Sequence, residues 1–136
     1  MSHSPREIIR RSFSTNNPYE KEFGYSRAVR RGPFIFVSGT TSIDPDTGEL
    51  RHPTSAYNQA IFIFTTIIEA VNSVGGKKED ITRVRMFVTG EEDAGSVGVA
   101  LKNALGDIKP AATLIIGARF VSGDMKVEIE ADALVI

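Results

Sequence analysis

Acidic side chains occupy three alternate positions in the C-terminal stretch KVEIEADALVI, residues 126–136. Successive side chains of a β-strand point to opposite faces, so this stretch, read as a strand, places Glu128, Glu130 and Asp132 on one face about 7 Å apart. Neighbouring carboxylates repel one another unless a cation or water lies opposite. This row of acids calls for an explanation, either a partner that neutralises it or a function, and so the three acids are the first candidates for chemistry in the chain.

An arginine-bearing stretch offers the simplest structural explanation for two of the acids. Residues 81–88, ITRVRMFV, also alternate as a strand and place Arg83 and Arg85 on one face. If this strand lies beside the last one, opposite charges would pair across the strands, and each pair would contribute roughly 0.2–1 kcal/mol. On this interpretation Glu130 and Asp132 serve pairing or solvation, and a functional role stays open for the remaining acid.

Several catalytic classes are excluded by residue type. The chain has no cysteine, which rules out thiol catalysis, disulfides and thiolate metal sites, and its histidines, His3 and His52, are too few for a histidine-rich metal site. It contains no P-loop, dinucleotide fingerprint or G-x-S-x-G nucleophile elbow. His52 lies in a turn-rich stretch, where we expect it to be solvated. Spacing alone therefore yields no mechanism.

The composition is that of an ordinary globular protein. The 136 residues fit one domain, and 41% hydrophobic with 24% charged residues is not the composition of a disordered chain. A net charge of −1 gives no broad positive field for nucleic acid or a membrane surface. No apolar run reaches the roughly 18 residues of a membrane span, and the N-terminus lacks the apolar stretch of a secretory signal. We expect a soluble, cytoplasmic protein.

Hydrophobic periodicity and turn signals predict the elements that hold these residues. Strands are predicted at residues 7–14, 25–32, 34–40, 81–88, 112–120 and 126–136, and helices from Thr54 or Ser55 to Val74 and from Glu91–Asp93 to Leu105. The order β-β-β-α-β-α-β-β, with a hairpin at each end, predicts an α+β sandwich of one mixed sheet and two helices on a single face. Residues 24–136 would form one domain, and residues 1–23 an N-terminal segment with a short strand and a loop.

The face of the predicted sheet that carries no helix is apolar as well. In FIFVSG, residues 34–39, the phenylalanines lie on one face and Ile35 and Val37 on the other. In residues 114–116, Leu114 and Ile116 lie on one face and Ile115 on the other. A sheet that is apolar on both faces is usually covered on both faces. Because no third helix is predicted, we expect another copy of the chain to provide the cover.

Four segments that follow one another along the chain carry a resemblance to a known family: GYSRAVRRGPFIFVSGTTSIDPDTGEL, VNSVGGKKEDITRVRMFVT, KPAATLIIGARF and KVEIEADALVI. Together they cover about residues 24 to 136 and resemble the RidA/YjgF family, whose members are also described as endoribonuclease L-PSP-like or translation initiation inhibitor-like proteins. It implies a chorismate-mutase-like fold of the bacillus type, assembled as a homotrimer with the sheets facing inward. It also implies small-molecule sites in clefts between subunits, and hydrolysis of enamines and imines to 2-ketoacids and ammonia without metal or cofactor.

The resemblance also assigns residues to the cleft. The family glutamate that orients or activates water matches Glu128, and the cleft tyrosine matches Tyr25. The V-S-G segment matches Ser38 and Gly39, and Phe87 matches an apolar cleft position. The resemblance therefore implies Glu128 as the catalytic residue and the other four as ligand-binding residues.

One cleft position departs from the family pattern. In RidA-type members an arginine follows P-A and binds the substrate carboxylate, but here the segment at residues 110–113 reads P-A-A-T. Ala112 cannot hold an anion, and Arg27 and Arg119 are the candidates to supply the missing cation. The resemblance thus places Ala112 and Thr113 in the cleft without the usual carboxylate recognition.

Three functions stay open at this point. The first is a cofactor-independent hydrolase or deaminase acting on an imine, enamine or related C–N bond, with Glu128 handling water. The second is a non-catalytic metabolite-binding trimer, which the loss of the arginine at Ala112 favours. The third, ribonuclease or translation inhibitor, ranks last because the near-zero net charge and the absent histidine pair do not suit nucleic acid. The expected partners are the chain itself and a small metabolite.

Overall fold

The computed structural model describes residues 8–136 and shows a mixed sheet packed against helices. The strands are β1 (Arg10–Phe13), β2 (Ala28–Arg31), β3 (Phe34–Thr40), β4 (Ile81–Val88), β5 (Ala111–Ile116) and β6 (Val127–Leu134), and the helices are α1 (Pro18–Phe23), α2 (Ala56–Ser73) and α3 (Ala94–Leu105). Single 3₁₀ turns precede β4 and α3. Residue 7, which the sequence analysis placed in the first strand, lies outside the described residues.

The strands lie in the order β1-β2-β3-β6-β4-β5. The pairs β1–β2, β2–β3, β3–β6 and β6–β4 are antiparallel, and β4–β5 is parallel. The predicted opening hairpin is confirmed, because Gly32, with φ of 57°, and Pro33 turn the chain from β2 into β3. The α+β sandwich with one mixed sheet is confirmed as well.

The hairpin predicted at the C-terminal end is wrong. β5 and β6 do not pair with each other; β5 pairs with β4, and β6 lies between β3 and β4. The physical reason lies in the burial of β6, whose inward side chains Val127, Ile129 and Ala131 are all 0% exposed. A strand buried so completely needs a neighbour on each edge, and a terminal hairpin at the sheet edge would supply only one.

Helix α2 begins and ends where local chemistry requires. The hydroxyl of Ser55 accepts a hydrogen bond from the backbone N–H of Asn58 at 3.1 Å, as an N-cap residue should. Its apolar face, which includes Ile63, Phe64 and Ile67, is buried against the sheet. Gly75, with φ of 91°, adopts a conformation that stops the helix.

A short helix, α1, was missed by the sequence interpretation, which had a loop there. The side-chain oxygen of Asn17 accepts the N–H of Tyr19 at 3.0 Å, Pro18 occupies the first turn, and Gly24 ends the helix with φ of 74°. Each of these is an ordinary helix-boundary signal. Six residues are too few to show an amphipathic period, so periodicity could not reveal this helix.

The core lies between the sheet and the two long helices, α2 and α3. The opposite face of the sheet is open in the single chain, where Phe34, Phe36 and Ile115 are 53%, 47% and 48% exposed. The apolar character predicted for both faces is therefore confirmed. No helix among residues 8–136 is long and apolar enough to cross a membrane.

Candidate functional site

A bulge in β3 lies beside Glu128. Val37 pairs with Ala131 and Thr40 pairs with Ile129, so Ser38 and Gly39 together stand where one residue of β6 stands. Bulges of this kind bend a strand and redirect its side chains, and they are common next to active sites. Here the bulge places the side of Gly39 that would carry a Cβ atom against the Glu128 carboxylate.

The side chain of Glu128 lines a cavity of about 240 Å³. One wall comes from α1 and the turn that follows it, with the aromatic rings of Tyr19, Phe23 and Tyr25. The other wall comes from the connection between β5 and β6, with Phe120 and Met125. A carboxylate therefore faces a largely aromatic and apolar space, which suits a small organic molecule better than a metal or a polymer.

Burial changes the acidity of Glu128. Desolvation raises the pKa of its carboxyl above the ordinary value of 4.5; the positive charge of Arg27 lowers this pKa in part, and the negative charge of Glu130 raises it further. The net direction is upward. A carboxyl shifted in this direction is a better proton carrier near neutral pH than an ordinary glutamate.

Arg27 and Arg119, the two candidates for the missing cation, occupy different environments. Arg27 is 2% exposed, and its guanidinium donates to protein groups, so it is not open to a ligand. Arg119 is exposed and lines the cavity with Glu128. Among residues 8–136 it is the only arginine or lysine in the cavity wall.

Two of the other predicted ligand-binding residues lie near the cavity without lining it. The hydroxyl of Ser38 donates to the backbone carbonyl of Ser26 at 2.7 Å and so fastens the bulge. Phe87 on β4 stands opposite Glu128 in register and is half-buried. The structure thus brings Tyr25, Gly39 and Glu128 together in one cavity and places Ser38 and Phe87 next to it.

Ala112 and Thr113 lie away from this cavity. Both are exposed on β5, the edge strand, and pair in register with Val84 and Arg85. Neither lines the cavity that contains Glu128. Their predicted role in ligand binding stays a prediction, since they would have to meet the cavity of a neighbouring copy.

The predicted pairing of the remaining acids is confirmed. Arg85 lies opposite Glu130 in register, and its Nη1 atom is 3.2 Å from Glu130 Oε1 and 3.2 Å from Asp132 Oδ2. One guanidinium therefore neutralises two carboxylates on the open face. Glu128 is the remaining acid of this row, and it faces the cavity.

The cavity also contains residues that the sequence interpretation did not single out. They are Asn17, Tyr19, Phe23, Thr41, Phe120, Val121 and Met125. The Asn-Pro signal of α1 could have shown that the aromatic residues at 19 and 23 share a helix face. No group of three or more histidines, aspartates or glutamates placed to hold a metal ion occurs among the described residues.

The fold and the cavity define a class of small α+β sandwich proteins, and comparison with known proteins identifies the family. A family model described as Endoribonuclease L-PSP matches residues 15–135. An uncharacterised protein of Streptomyces coelicolor is 31% identical over 127 residues, which is 93% of this chain and 92% of the relative. The chain therefore belongs to the endoribonuclease L-PSP family, also known as YjgF/RidA.

Solved structures agree with this assignment. A member of the YjgF/YER057c/UK114 family from Mycobacterium tuberculosis is 32% identical, superposes with a TM-score of 0.81, and the match covers 93% of this chain and 99% of that one. The YjgF gene product of E. coli is 28% identical with a TM-score of 0.78, covering 91% and 98% of the two chains. The resemblance seen in the sequence is confirmed, and so is the fold that it implied.

Proposed function

We propose that this protein is a cofactor-independent hydrolase of an imine, enamine or related C–N compound, and that Glu128 handles the water. The observation that carries the proposal is the position of Glu128: a carboxyl with a raised pKa at the end of an aromatic cavity large enough for a small molecule. The reaction class is the one that the resemblance to RidA-type proteins implies.

The chemistry needs one group that both takes and returns a proton. Water attacks the carbon of the C=N bond while Glu128 accepts one of its protons and returns it to the nitrogen, which gives a tetrahedral carbinolamine. Glu128 then takes the hydroxyl proton and passes it to the amino nitrogen, so that the C=O bond forms, the C–N bond breaks and ammonia leaves. A carboxyl whose pKa is raised toward the working pH suits both halves of this exchange.

We propose that the working unit is a homotrimer whose sheets face inward. The support is the open apolar face, where Phe34 and Phe36 stack with ring centroids 6.4 Å apart and remain about half-exposed in one chain. Burying such a face on a neighbour is favourable by about 25 cal/mol per Å² of apolar surface. Such packing would also bring the edge strand β5, with Ala112 and Thr113, toward the cavity of the next copy.

A non-catalytic metabolite-binding trimer is the second candidate. The residue that favours it is Ala112, a methyl group at the position where RidA-type members have a carboxylate-binding arginine. In this alternative the aromatic cavity binds a ligand, and Glu128 only helps to orient it.

A trapping assay separates the two candidates. Imines are generated in situ from a panel of amino acids, and semicarbazone formation is followed with and without the protein. Hydrolysis that disappears in Glu128→Gln and persists in Glu130→Gln supports the proposal, because Glu130 lies on the same strand and face but pairs with Arg85. Ligand-induced thermal stabilisation without turnover supports the binding protein, and full activity in Glu128→Gln contradicts the proposed mechanism.

A further inference from the structure

A second charged centre, formed by Arg27 and Glu20, lies behind the cavity and is used by none of the steps above. Glu20 is 3% and Arg27 2% exposed, and Arg27 Nε lies 3.1 Å from Glu20 Oε2. A charged pair this deeply buried persists only where its hydrogen bonds are well satisfied. Glu20 also accepts from the backbone N–H of Thr15 at 2.8 Å and from the Thr15 hydroxyl.

The remaining contacts of Arg27 reach the other parts of the cavity wall. Its Nη1 atom donates to the carbonyl of Gly39 at 2.7 Å and to the hydroxyl of Thr40 at 3.2 Å, within and next to the bulge of β3. Its Nη2 atom lies 3.4 Å from the hydroxyl of Tyr25, and the guanidinium carbon lies 5.5 Å from the centre of that ring. One side chain therefore joins α1, Tyr25 and the bulge.

We propose that Arg27 is a positioning residue for the site: held by Glu20, its guanidinium fixes α1, Tyr25 and the β3 bulge relative to one another and keeps a positive charge behind the Glu128 carboxylate. The proposal rests on the proposed function only in assigning a proton-transfer role to Glu128. The bulge is the direct connection, because the carbonyl of Gly39 accepts from Arg27 while the bare face of Gly39 rests against Glu128.

The charges around Glu128 decide what the loss of Arg27 does. Arg27 faces it from the segment before β2, and Glu130 flanks it on β6. Tyr19 and Tyr25 stand across the cavity, and Arg119 lies on the wall that follows β5. The positive charge of Arg27 lowers the pKa of Glu128. Replacing Arg27 by a neutral residue should therefore raise this pKa, so that protonated Glu128 persists to higher pH.

The chain offers a matched control in Arg30. It is also buried, at 7% exposure, lies on β2 three residues after Arg27, and also donates to backbone carbonyls, those of Gly32 at 2.8 Å and Val74 at 3.1 Å. It does not line the cavity or contact Glu20. If Arg27 had only the structural role of a buried arginine that binds backbone carbonyls, substitution of either residue should have the same effect on Glu128.

The test follows the Glu128 carboxyl by ¹³C NMR across pH in the full chain, in Arg27→Met, Arg27→Lys and Arg30→Met, with thermal unfolding in parallel. We expect the titration midpoint of Glu128 to move to higher pH in Arg27→Met, to return toward its original position in Arg27→Lys, and to stay unchanged in Arg30→Met. The double variant Glu20→Gln/Arg27→Met removes both charges and serves if Arg27→Met alone does not fold. An unchanged midpoint in folded Arg27→Met, or in the double variant where Arg27→Met does not fold, would overturn the proposal.

Turnover provides the second readout. With the imine generated in situ from phenylalanine, whose ring suits the aromatic wall, kcat/KM of Arg27→Met should fall by about 10- to 100-fold, the scale of loss for a misplacement of about 1 Å. The acid limb of its pH profile should also move to higher pH. The NMR measurement needs no activity, so a shifted midpoint together with no turnover of any imine in the panel by the native chain would count against the proposed function and leave the positioning role standing.

Discussion

Gly39 and Glu128 are so close that a side chain on the glycine would touch the carboxylate. A Cβ atom at Gly39 would lie 3.0 Å from Glu128 Cδ and 3.2 and 3.3 Å from the two carboxylate oxygens. Distances of 3.0–3.4 Å are tighter than nine in ten of the contacts that real Cβ atoms make. The position of the carboxylate therefore depends on the absence of a side chain at residue 39.

Gly39→Ala should preserve the fold and impair the site. The added methyl would meet the movable end of the Glu128 side chain, so we expect the stability to change by less than about 1 kcal/mol. Displacement of the carboxylate should lower kcat/KM for imine hydrolysis by about 10-fold or more. The control is Gly98→Ala in α3, where a Cβ meets nothing within 4 Å. That variant should gain up to about 1 kcal/mol in stability and keep its activity.

Glu128→Gln should make the protein more stable at neutral pH. The pKa of Glu128 is raised in the folded state, so the folded protein binds the extra proton and stability falls as the pH rises from 4.5 through the folded-state pKa. Glutamine does not titrate, so the variant does not lose stability over this pH range. Urea unfolding at about pH 4 and about pH 7.5 should show the variant gaining on the wild type only at the higher pH. Equal differences at both pH values would contradict a raised pKa.

Arg119→Met should reduce affinity for anionic ligands specifically. A charged hydrogen bond contributes about 1.5–3 kcal/mol, so KM for an imine that carries a carboxylate should rise about 10-fold or more. KM for the neutral imine formed from the corresponding amine should stay unchanged. A parallel rise for both substrates would show that Arg119 shapes the cavity without binding an anion.

Phe36→Lys should convert the proposed trimer to monomers. Phe36 stands opposite Asp132 in register on the open face, so a lysine there finds a carboxylate in the folded monomer but places a charge in the apolar contact between copies. Light scattering should report a threefold drop in molar mass. Val99→Lys is the control, because Val99 is similarly exposed, at 52%, but lies on α3. A wild-type monomer would refute the trimer directly.

Gln59→Leu should destabilise the connection that forms one wall of the cavity. Gln59 is 0% exposed; its amide nitrogen donates to the carbonyls of His52 at 3.0 Å and Asp124 at 2.9 Å, and its oxygen accepts from the N–H of Lys126 at 2.9 Å. Leucine leaves these three backbone groups without that partner, which should cost at least about 2 kcal/mol in free energy of unfolding. A loss below about 0.5 kcal/mol would indicate that the connection reorganises around other partners.

The sequence was sufficient where local chemistry decides the structure. The strands at 34–40 and 81–88 have the predicted bounds because aromatic and β-branched residues alternate there. The helix start after Ser55 follows from its capping hydroxyl. The pairing of Arg85 with Glu130 followed once the two strands were assumed to be neighbours.

What the sequence could not show depends on distant partners. The parallel pairing of β5 with β4 is set by where β6 inserts, and no turn signal near residue 117 encodes that choice. Arg27 was a candidate to supply the missing cation, and only its position beside Glu20 and Gly39 shows that it is buried and bound to protein groups. Helix α1, which forms one wall of the cavity, is too short for its hydrophobic pattern to be read.

The central position of β6 also determines when the sheet can be completed during synthesis. Its partners β3 and β4 do not pair with each other, so before residues 127–134 are made the sheet exists as two halves, each with an unpaired apolar edge. Exposed edges of this kind promote aggregation, and the pairing joins segments that are far apart in sequence, which slows folding. A ribosome that stalls near residue 126 would therefore hold a chain that contains five of the strands described here and cannot join them into one sheet.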